Sequence, residues 1–433
     1  MEATRYTGKK GIGKGAVDKR LNKKYIISWC LFDFANSSYS AVIASVIFPL
    51  FYANYVVGNR EGIGDLWWGM AISLSMAIIA ITSPFLGGIA DYSGIRKRLL
   101  FLYTAISVLA IVFFATLKEG MILAGFSMIV IANIGMEGGL VFYNAFLPQI
   151  APKKYQGRVS AWGFGTGYAG SIISLLIALP LVKAGQYELT WLMVAGFFAI
   201  FSMPAFFLLP SDRRAGFSFI KAGSTGIRFT LATLRELWSR KDPRRFLLAY
   251  FIYQDGINTV IVFSSLFAAT TLGFKPQELI ALYIIVQFSA LIGAFIMAKP
   301  IDMWGPKKVI MTSLIMWSAV VVLAFFIRTK VQFWVLASFA GLGLGTVQAA
   351  TRAFYVRFIP KDKESEYFGV YSLVGKSSAI IGPLVFGQVS SAFKSQRPAI
   401  LSVAAFFILG MVVLYFVSGS SQEKDEEYRK DWQ

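Results

Sequence analysis

Five ionisable residues stand inside long apolar stretches of the chain: Asp33, Glu137, Asp255, Arg352 and Lys376. A charge placed in hydrocarbon costs roughly 2.5–3.5 kcal/mol on insertion scales, so each needs a partner or a task. Three carboxylates and two cations suit two tasks. A buried carboxylate can take up and release a proton, because desolvation favours its neutral form. A cation and an anion at similar depth can receive the two ends of a zwitterion. Polar residues at helical spacing extend each position. Asn36, Ser37 and Ser40 follow Asp33, and Asn258 and Thr259 follow Asp255. Asn133 and Asn144 share a face with Glu137, and Gln348 and Tyr355 share one with Arg352. The candidate substrate and coupling set is therefore Asp33, Asn36, Glu137, Asn144, Asp255, Asn258, Gln348, Arg352 and Lys376. The competing reading is a structural ion-pair network that closes an inner gate, with Arg352 as its first member.

Other chemistries are excluded or poorly supported. The chain has no histidine, so a proton relay must run on carboxylates and a histidine metal site is ruled out. One cysteine, Cys30, leaves no intrachain disulfide. Gly165-Thr166-Gly167-Tyr168-Ala169-Gly170 has dinucleotide-binding spacing but lies in an apolar run with no preceding strand. Gly163 and Gly167 read instead as a close helix-packing pair, and Gly341, Gly343 and Gly345 read the same way. Gly375-Lys376-Ser377 and Gly8-Lys9-Lys10-Gly11-Ile12-Gly13-Lys14 each lack part of a phosphate-binding loop. No ATP site and no cofactor is expected, so any transport must draw on a gradient.

The elements that must position these residues follow from composition. The chain has 433 residues, 56% apolar and 15% charged, against about 45–50% and about 25% in soluble domains. Apolar runs place twelve spans near 25–56, 66–89, 97–117, 121–147, 157–182, 189–210, 245–271, 277–298, 307–327, 331–358, 366–393 and 398–417. Each reaches the ~20 residues that cross a bilayer. Pro49 puts a bend in the first. The basic residues before span 1 are read as part of an uncleaved tail, since the apolar run is longer than a signal peptide's and contains Asp33.

Of 42 Lys and Arg, 32 fall on the side holding the N-tail, the even-numbered loops and the C-tail, 8 on the other, and Arg352 and Lys376 inside spans. That side, called the basic side below, is expected to be cytoplasmic. The net charge of +19 is then a topology signal and not a nucleic-acid footprint. The organisation is a basic tail (1–24), a six-helix bundle (25–210), a linker (211–244), a second bundle (245–417) and a tail (418–433). Within the linker, Ile227, Leu231, Leu234 and Trp238 recur at helical spacing beside Arg228, Arg235 and Arg240. This predicts an amphipathic helix on an anionic inner leaflet.

The two bundles repeat one another. Asp33-Phe34-Ala35-Asn36 matches Asp255-Gly256-Ile257-Asn258, and Asn144-Ala145-Phe146 matches Arg352-Ala353-Phe354, each with a proline eight residues on. Span 2 ends in Asp91-Tyr92-Ser93-Gly94-Ile95-Arg96-Lys97 and span 8 in Asp302-Met303-Trp304-Gly305-Pro306-Lys307-Lys308. Gly87, Asp91, Gly94, Arg96 and Lys97, with Asp302, Gly305 and Lys307, form the candidate latch. Its aspartates are suited to a neighbouring helix N-terminus, where the dipole favours negative charge.

The loop Gly87-Gly88-Ile89-Ala90-Asp91-Tyr92-Ser93-Gly94-Ile95-Arg96-Lys97-Arg98 resembles the signature between spans 2 and 3 of the major facilitator superfamily. Asp33-Phe34-Ala35-Asn36-Ser37-Ser38-Tyr39, Phe142-Tyr143-Asn144-Ala145-Phe146-Leu147-Pro148, Tyr253-Gln254-Asp255-Gly256 and Ser372-Leu373-Val374-Gly375-Lys376 together resemble its vacuole-effluxer-like branch. The resemblance covers about residues 25–417. It implies an all-α membrane protein of twelve helices in two pseudo-symmetric six-helix bundles. It also implies transport of amino-acid-like solutes.

The expected function is secondary active transport of a small polar or zwitterionic solute, coupled to protons, by a monomer in a bacterial inner membrane. An amphiphilic or lipid-like substrate is the alternative, suited by the aromatic richness. A non-transporting receptor or scaffold would leave five intramembrane charges without a task.

Overall fold

Apolar side chains in runs of twenty and more residues leave the backbone no water to bond, so in a bilayer the chain must satisfy itself helically. The computed structural model does so. It describes residues 22–58, 63–212, 231–379, 381–393 and 395–418, and every regular element among them is helical. The first six spans are α1 (Lys23–Ser38, prolonged through residue 57), α2 (Ile63–Ser93), α3 (Arg96–Phe113), α4 (Ile122–Ala145), α5 (Gln156–Lys183) and α6 (Tyr187–Leu208). The second six are α7 (Lys241–Leu272), α8 (Pro276–Trp304), α9 (Pro306–Phe326), α10 (Lys330–Val356), α11 in two pieces (Glu364–Ser377 and Ile381–Phe393) and α12 (Gln396–Tyr415). Among the described residues, ten helices are long and apolar enough to cross a membrane, and the bent pair of α1 makes an eleventh. The divided α11 completes twelve.

Two spans depart from continuous helices. In α1, a π-helical stretch (Tyr39–Val46) precedes a bend of 41° at residue 47, just ahead of Pro49. The single helix expected over 366–393 is interrupted after Ser377. Pro383 has no N–H to return to residue 379, so the helix restarts instead of continuing.

Packing repeats between the two sets. In the first, α3 lies on α4, α2 on α4 and α1 on α6; in the second, α9 lies on α10, α8 on α10 and α7 on α12. The halves meet along two seams, α2 against the first piece of α11 and α5 against α8. Small residues permit both; at the second, a Cβ on Gly157 of α5 would meet the Ile301 side chain of α8. A Cβ on Gly87 would stand 2.2 Å from the Ser365 carbonyl oxygen, and one on Gly369 would stand 2.4 Å from that of Ser83. Within the halves, Gly170 of α5 lies on the Phe34 carbonyl of α1, and Gly345 of α10 on that of Ala290 of α8. The glycines of α5 and α10 are thus packing sites, as their spacing predicts. Large apolar side chains such as Ile200, Phe207, Ile296 and Phe326 point outward, where lipid would be.

Candidate functional site

The seams are closed at the basic side by a reciprocal exchange of helix caps. Asp91, in the last turn of α2, accepts from the Glu366 N–H at 2.8 Å through Oδ2. Glu366 is the third residue of α11, so one of the helix's unpaired N-terminal donors is satisfied from the other half. Asp302, in the last turn of α8, accepts from the Arg158 N–H at 3.1 Å, in the first turn of α5. Each half therefore caps a helix of the other. Arg96 binds Asp91 at 2.5 Å and Glu364 at 3.0 Å, and also donates to the Ala145 carbonyl. Arg158 lies 3.5 Å from Asp302.

Apart from Gly87, which lies on the seam, the remaining latch residues work within their own half. Gly94 (φ +64°) and Gly305 (φ +87°) make the tight turns into α3 and α9, in a backbone region that side chains disfavour. Lys97 donates to the Phe207 and Leu209 carbonyls that close α6. Lys307 donates to the Tyr415 and Val417 carbonyls that close α12. Both cations thus sit at helix C-termini, where the dipole favours them. Asp212 caps α3 through the Lys97 and Arg98 N–H groups.

Deeper in the bundle the five charged residues separate into two ion pairs and one lone carboxylate. Arg352 of α10 reaches into the first half. Its guanidinium donates to Ser160 Oγ at 2.9 Å, to the Ser160 carbonyl at 2.7 Å and to Asn144 Oδ1 at 3.1 Å. It lies 3.7 Å from Asp33 and stacks over Phe164 and Trp29, at 4.0 and 4.7 Å from the ring centroids. This fork-and-face arrangement is specific to arginine. Asn36 donates weakly to Asp33 at 3.4 Å. Ser160 also donates to the Ala349 carbonyl, tying α5 to α10 beside the cation.

The second pair is Glu137 of α4 with Lys376 of α11, at 2.5 Å. It is the more open of the two, with the lysine side chain 24% and the glutamate 14% exposed, against 3% for Arg352. Tyr168 of α5 donates to Gln348 of α10 at 2.5 Å, a further bond between the halves. Tyr168 stands in the same relation to Lys376 as Asn144 does to Arg352 in the repeat, which sequence reading did not use.

Asp255, grouped by the sequence with these four in one candidate set, pairs with neither cation. It is fully buried, and its Oδ2 accepts from the Gly382 N–H at 2.8 Å, at the start of the second piece of α11. Asn258 donates to Ser378 Oγ at 3.3 Å and accepts from Gln254. The aspartate and asparagine of α7 therefore hold both sides of the interruption in α11. The physical reason is the break itself, which exposes helix-terminal donors that a continuous helix would not have.

Residues missed by sequence reasoning are Ser160, Trp29 and Phe164 around Arg352, and Glu364 and Glu366 at the latch. The two glutamates carried a readable signal, being acidic residues in the first turn of a span shortly after Pro360. The linker helix is described over 231–239; Ile227 and Arg228 lie outside the described residues. Leu237 and Thr233 face the protein, while Leu231 and Trp238 are exposed. Glu236 binds Lys363 at 3.1 Å and Tyr367 at 3.2 Å, so this helix rests on the entry to α11.

Comparison with known proteins agrees with this architecture. The family described as Vacuole effluxer Atg22 like matches residues 69–427. The MFS-type transporter YxiO of Bacillus subtilis is 29% identical over 93% of this chain and 97% of its own length. Autophagy-related protein 22 of Kluyveromyces lactis is 24% identical over 79% of this chain and 77% of its own. Among solved structures, the human organic anion transporter MFSD10 superposes with a TM-score of 0.72 at 13% identity, covering 90% of this chain and 99% of that one. The proton:xylose symporter XylE gives 0.69 at 13% identity, covering 94% and 97%. With a family match over most of its length and the fold of these transporters, the chain belongs to the Vacuole effluxer Atg22 like family and is a membrane transporter of the major facilitator superfamily, not an enzyme.

Proposed function

We propose that the chain is a secondary active transporter of a small zwitterionic, amino-acid-like solute, working by alternating access and coupled to protons. The observation that carries this reading is the Glu137–Lys376 pair, one member from each half, partly open and only 2.5 Å apart. A zwitterion's carboxylate can replace Glu137 at Lys376 while its ammonium takes Glu137, so substrate binding exchanges partners without leaving a charge bare. Arg352, with Asp33, Asn144 and Ser160, supplies a second and deeper inter-half contact that must loosen when the basic side opens. Asn36, Asn258 and Gln348 line the same spans and support the reading as polar neighbours. The protein is taken to work as a monomer in an inner membrane with the basic side cytoplasmic.

The test is flux of a labelled amino-acid mixture into proteoliposomes under an imposed pH gradient. Accumulation that collapses with a protonophore supports the reading; absence of both accumulation and counterflow refutes it. A second reading, an amphiphilic substrate entering from the bilayer, is favoured by one feature. A groove of about 500 Å³ between α1, α5 and α8, lined by Ile27, Leu31, Phe34, Trp162 and Phe295, begins at Lys23. Its apolar wall and terminal cation match a chain with an anionic head.

A further inference from the structure

We propose that Asp255 is the carboxyl group that takes up the coupling proton, and that its protonation releases the two pieces of α11 from α7. The inference rests on the proton-coupled reading above and names its site. Three carboxylates stand in the spans, and two of them are spoken for. Glu137 is taken by Lys376 at 2.5 Å and Asp33 faces Arg352 at 3.7 Å, each in an ion pair. Asp255 alone has no cation within ion-pair distance among the described residues.

Its surroundings bear this out element by element. The second piece of α11, which packs on it, has no charged residue from Ile381 to Phe393. From α12, Phe406, Phe407 and Gly410 pack against Tyr253 and Gly256, the neighbours of Asp255 on α7. From α10, Thr351 bonds Tyr253, and its neighbour Arg352 turns away to the other half. On α7 itself the nearest cations, Arg244 and Arg245, lie about three turns away. Lys376 of α11 is held by Glu137.

Within this uncharged pocket one carboxylate oxygen is committed and the other is not. Oδ2 accepts from Gly382, while Oδ1 is buried with no hydrogen-bond partner. A Cβ on Gly382 would stand 2.8 Å from Oδ1 and closer still to Thr259 Oγ1, so the helix start lies directly against the carboxylate. A proton from water adds to Oδ1 and gives the neutral acid. That removes the negative charge facing the positive end of the second helix piece. The Asn258–Ser378 contact, at 3.3 Å, then remains as the tether.

The consequence is mechanical. The first piece of α11 is fastened to the other half through Glu364, Glu366 and Lys376. It touches α7 through Tyr371, stacked on Tyr250 at 4.5 Å, and is joined to it beyond that by the interruption that Asp255 holds. Protonation loosens that attachment and lets the first piece change position relative to α7.

The test uses the whole protein in nanodiscs, with Cys30→Ser and spin labels at Lys308→Cys and Lys361→Cys, two exposed sites on the basic side of the second half, at the start of α9 and at the entry to α11. Double electron–electron resonance reads their distance distribution from pH 5 to pH 8. The parent is expected to change its distribution with pH, and Asp255→Asn is expected to lose that change. Glu119→Gln and Glu188→Gln, exposed carboxylates outside the two seams, are expected to keep it, and Ser378→Ala is expected to shift the distribution at every pH while keeping the response. A pH response that survives in Asp255→Asn, that disappears in Glu119→Gln or Glu188→Gln, or that is absent from the parent overturns the proposal. Amino-acid flux is measured separately, so its absence would sink the transport reading without touching this result.

Discussion

Neutralising Asp91 should open the basic side of the transporter by a measurable factor. Asp91→Asn keeps one acceptor oxygen but loses the charge that serves Arg96 at 2.5 Å and the Glu366 N–H at 2.8 Å. Hydrogen bonds to charged groups contribute about 1.5–3 kcal/mol. Arg96 keeps Glu364 and the Ala145 carbonyl, so the loss should stay near the middle of that range, about 2 kcal/mol. At tenfold per 1.4 kcal/mol this raises the open fraction about 30-fold. Ser365, fully buried on the seam against Gly87, reports the opening. With Ser365→Cys in a Cys30→Ser background, the rate of maleimide labelling follows the open population when opening is fast relative to labelling. The expected result is a rate about 30-fold above the parent, matched by Asp302→Asn, which breaks the equivalent cap on α5. An unchanged labelling rate in both variants would refute the claim that the caps hold the seam shut.

Two further outcomes are expected. Arg352→Lys keeps the charge but cannot reproduce the fork onto Ser160 and Asn144 or the stacking on Phe164 and Trp29; thermal unfolding in detergent should show a loss of about 1–3 kcal/mol, and a parental melting temperature would count against the cage. Glu137→Gln and Lys376→Met should each destabilise the protein by leaving a partner uncompensated, while the double variant recovers part of the loss; additive losses in the double would show that the two side chains do not interact.

The latch was legible because its signal is local. Asp91, Gly94 and Arg96 sit within six residues, and their roles depend on helix ends that the sequence marks. The inter-half pairing of Glu137 with Lys376 was legible as a possibility, since both lie at similar depth on spans that line the interface. What surrounds Arg352 was not. Trp29, Phe164 and Ser160 come from α1 and α5 and meet only through packing, which no spacing along one helix encodes. Asp255 was misplaced for a related reason. Its repeat match to Asp33 suggested a place in one polar set, but the break in α11 offered a nearer demand for a negative charge. That break was overlooked although Gly382-Pro383 marks it, because the apolar run continues on both sides of the pair.

The exchanged caps carry an implication about origin. A pair of identical six-helix subunits related by a twofold axis would make each cap contact twice, as an isologous interface requires. The contact could therefore have arisen between separate chains before they were joined. Asn144 and Arg352 occupy equivalent repeat positions and touch at 3.1 Å across the same axis. In a symmetric pair that position would meet its own copy. Two asparagines can bond each other there, whereas two arginines would repel. The asymmetric bond requires the two copies of one site to carry different residues, as they do within this one polypeptide.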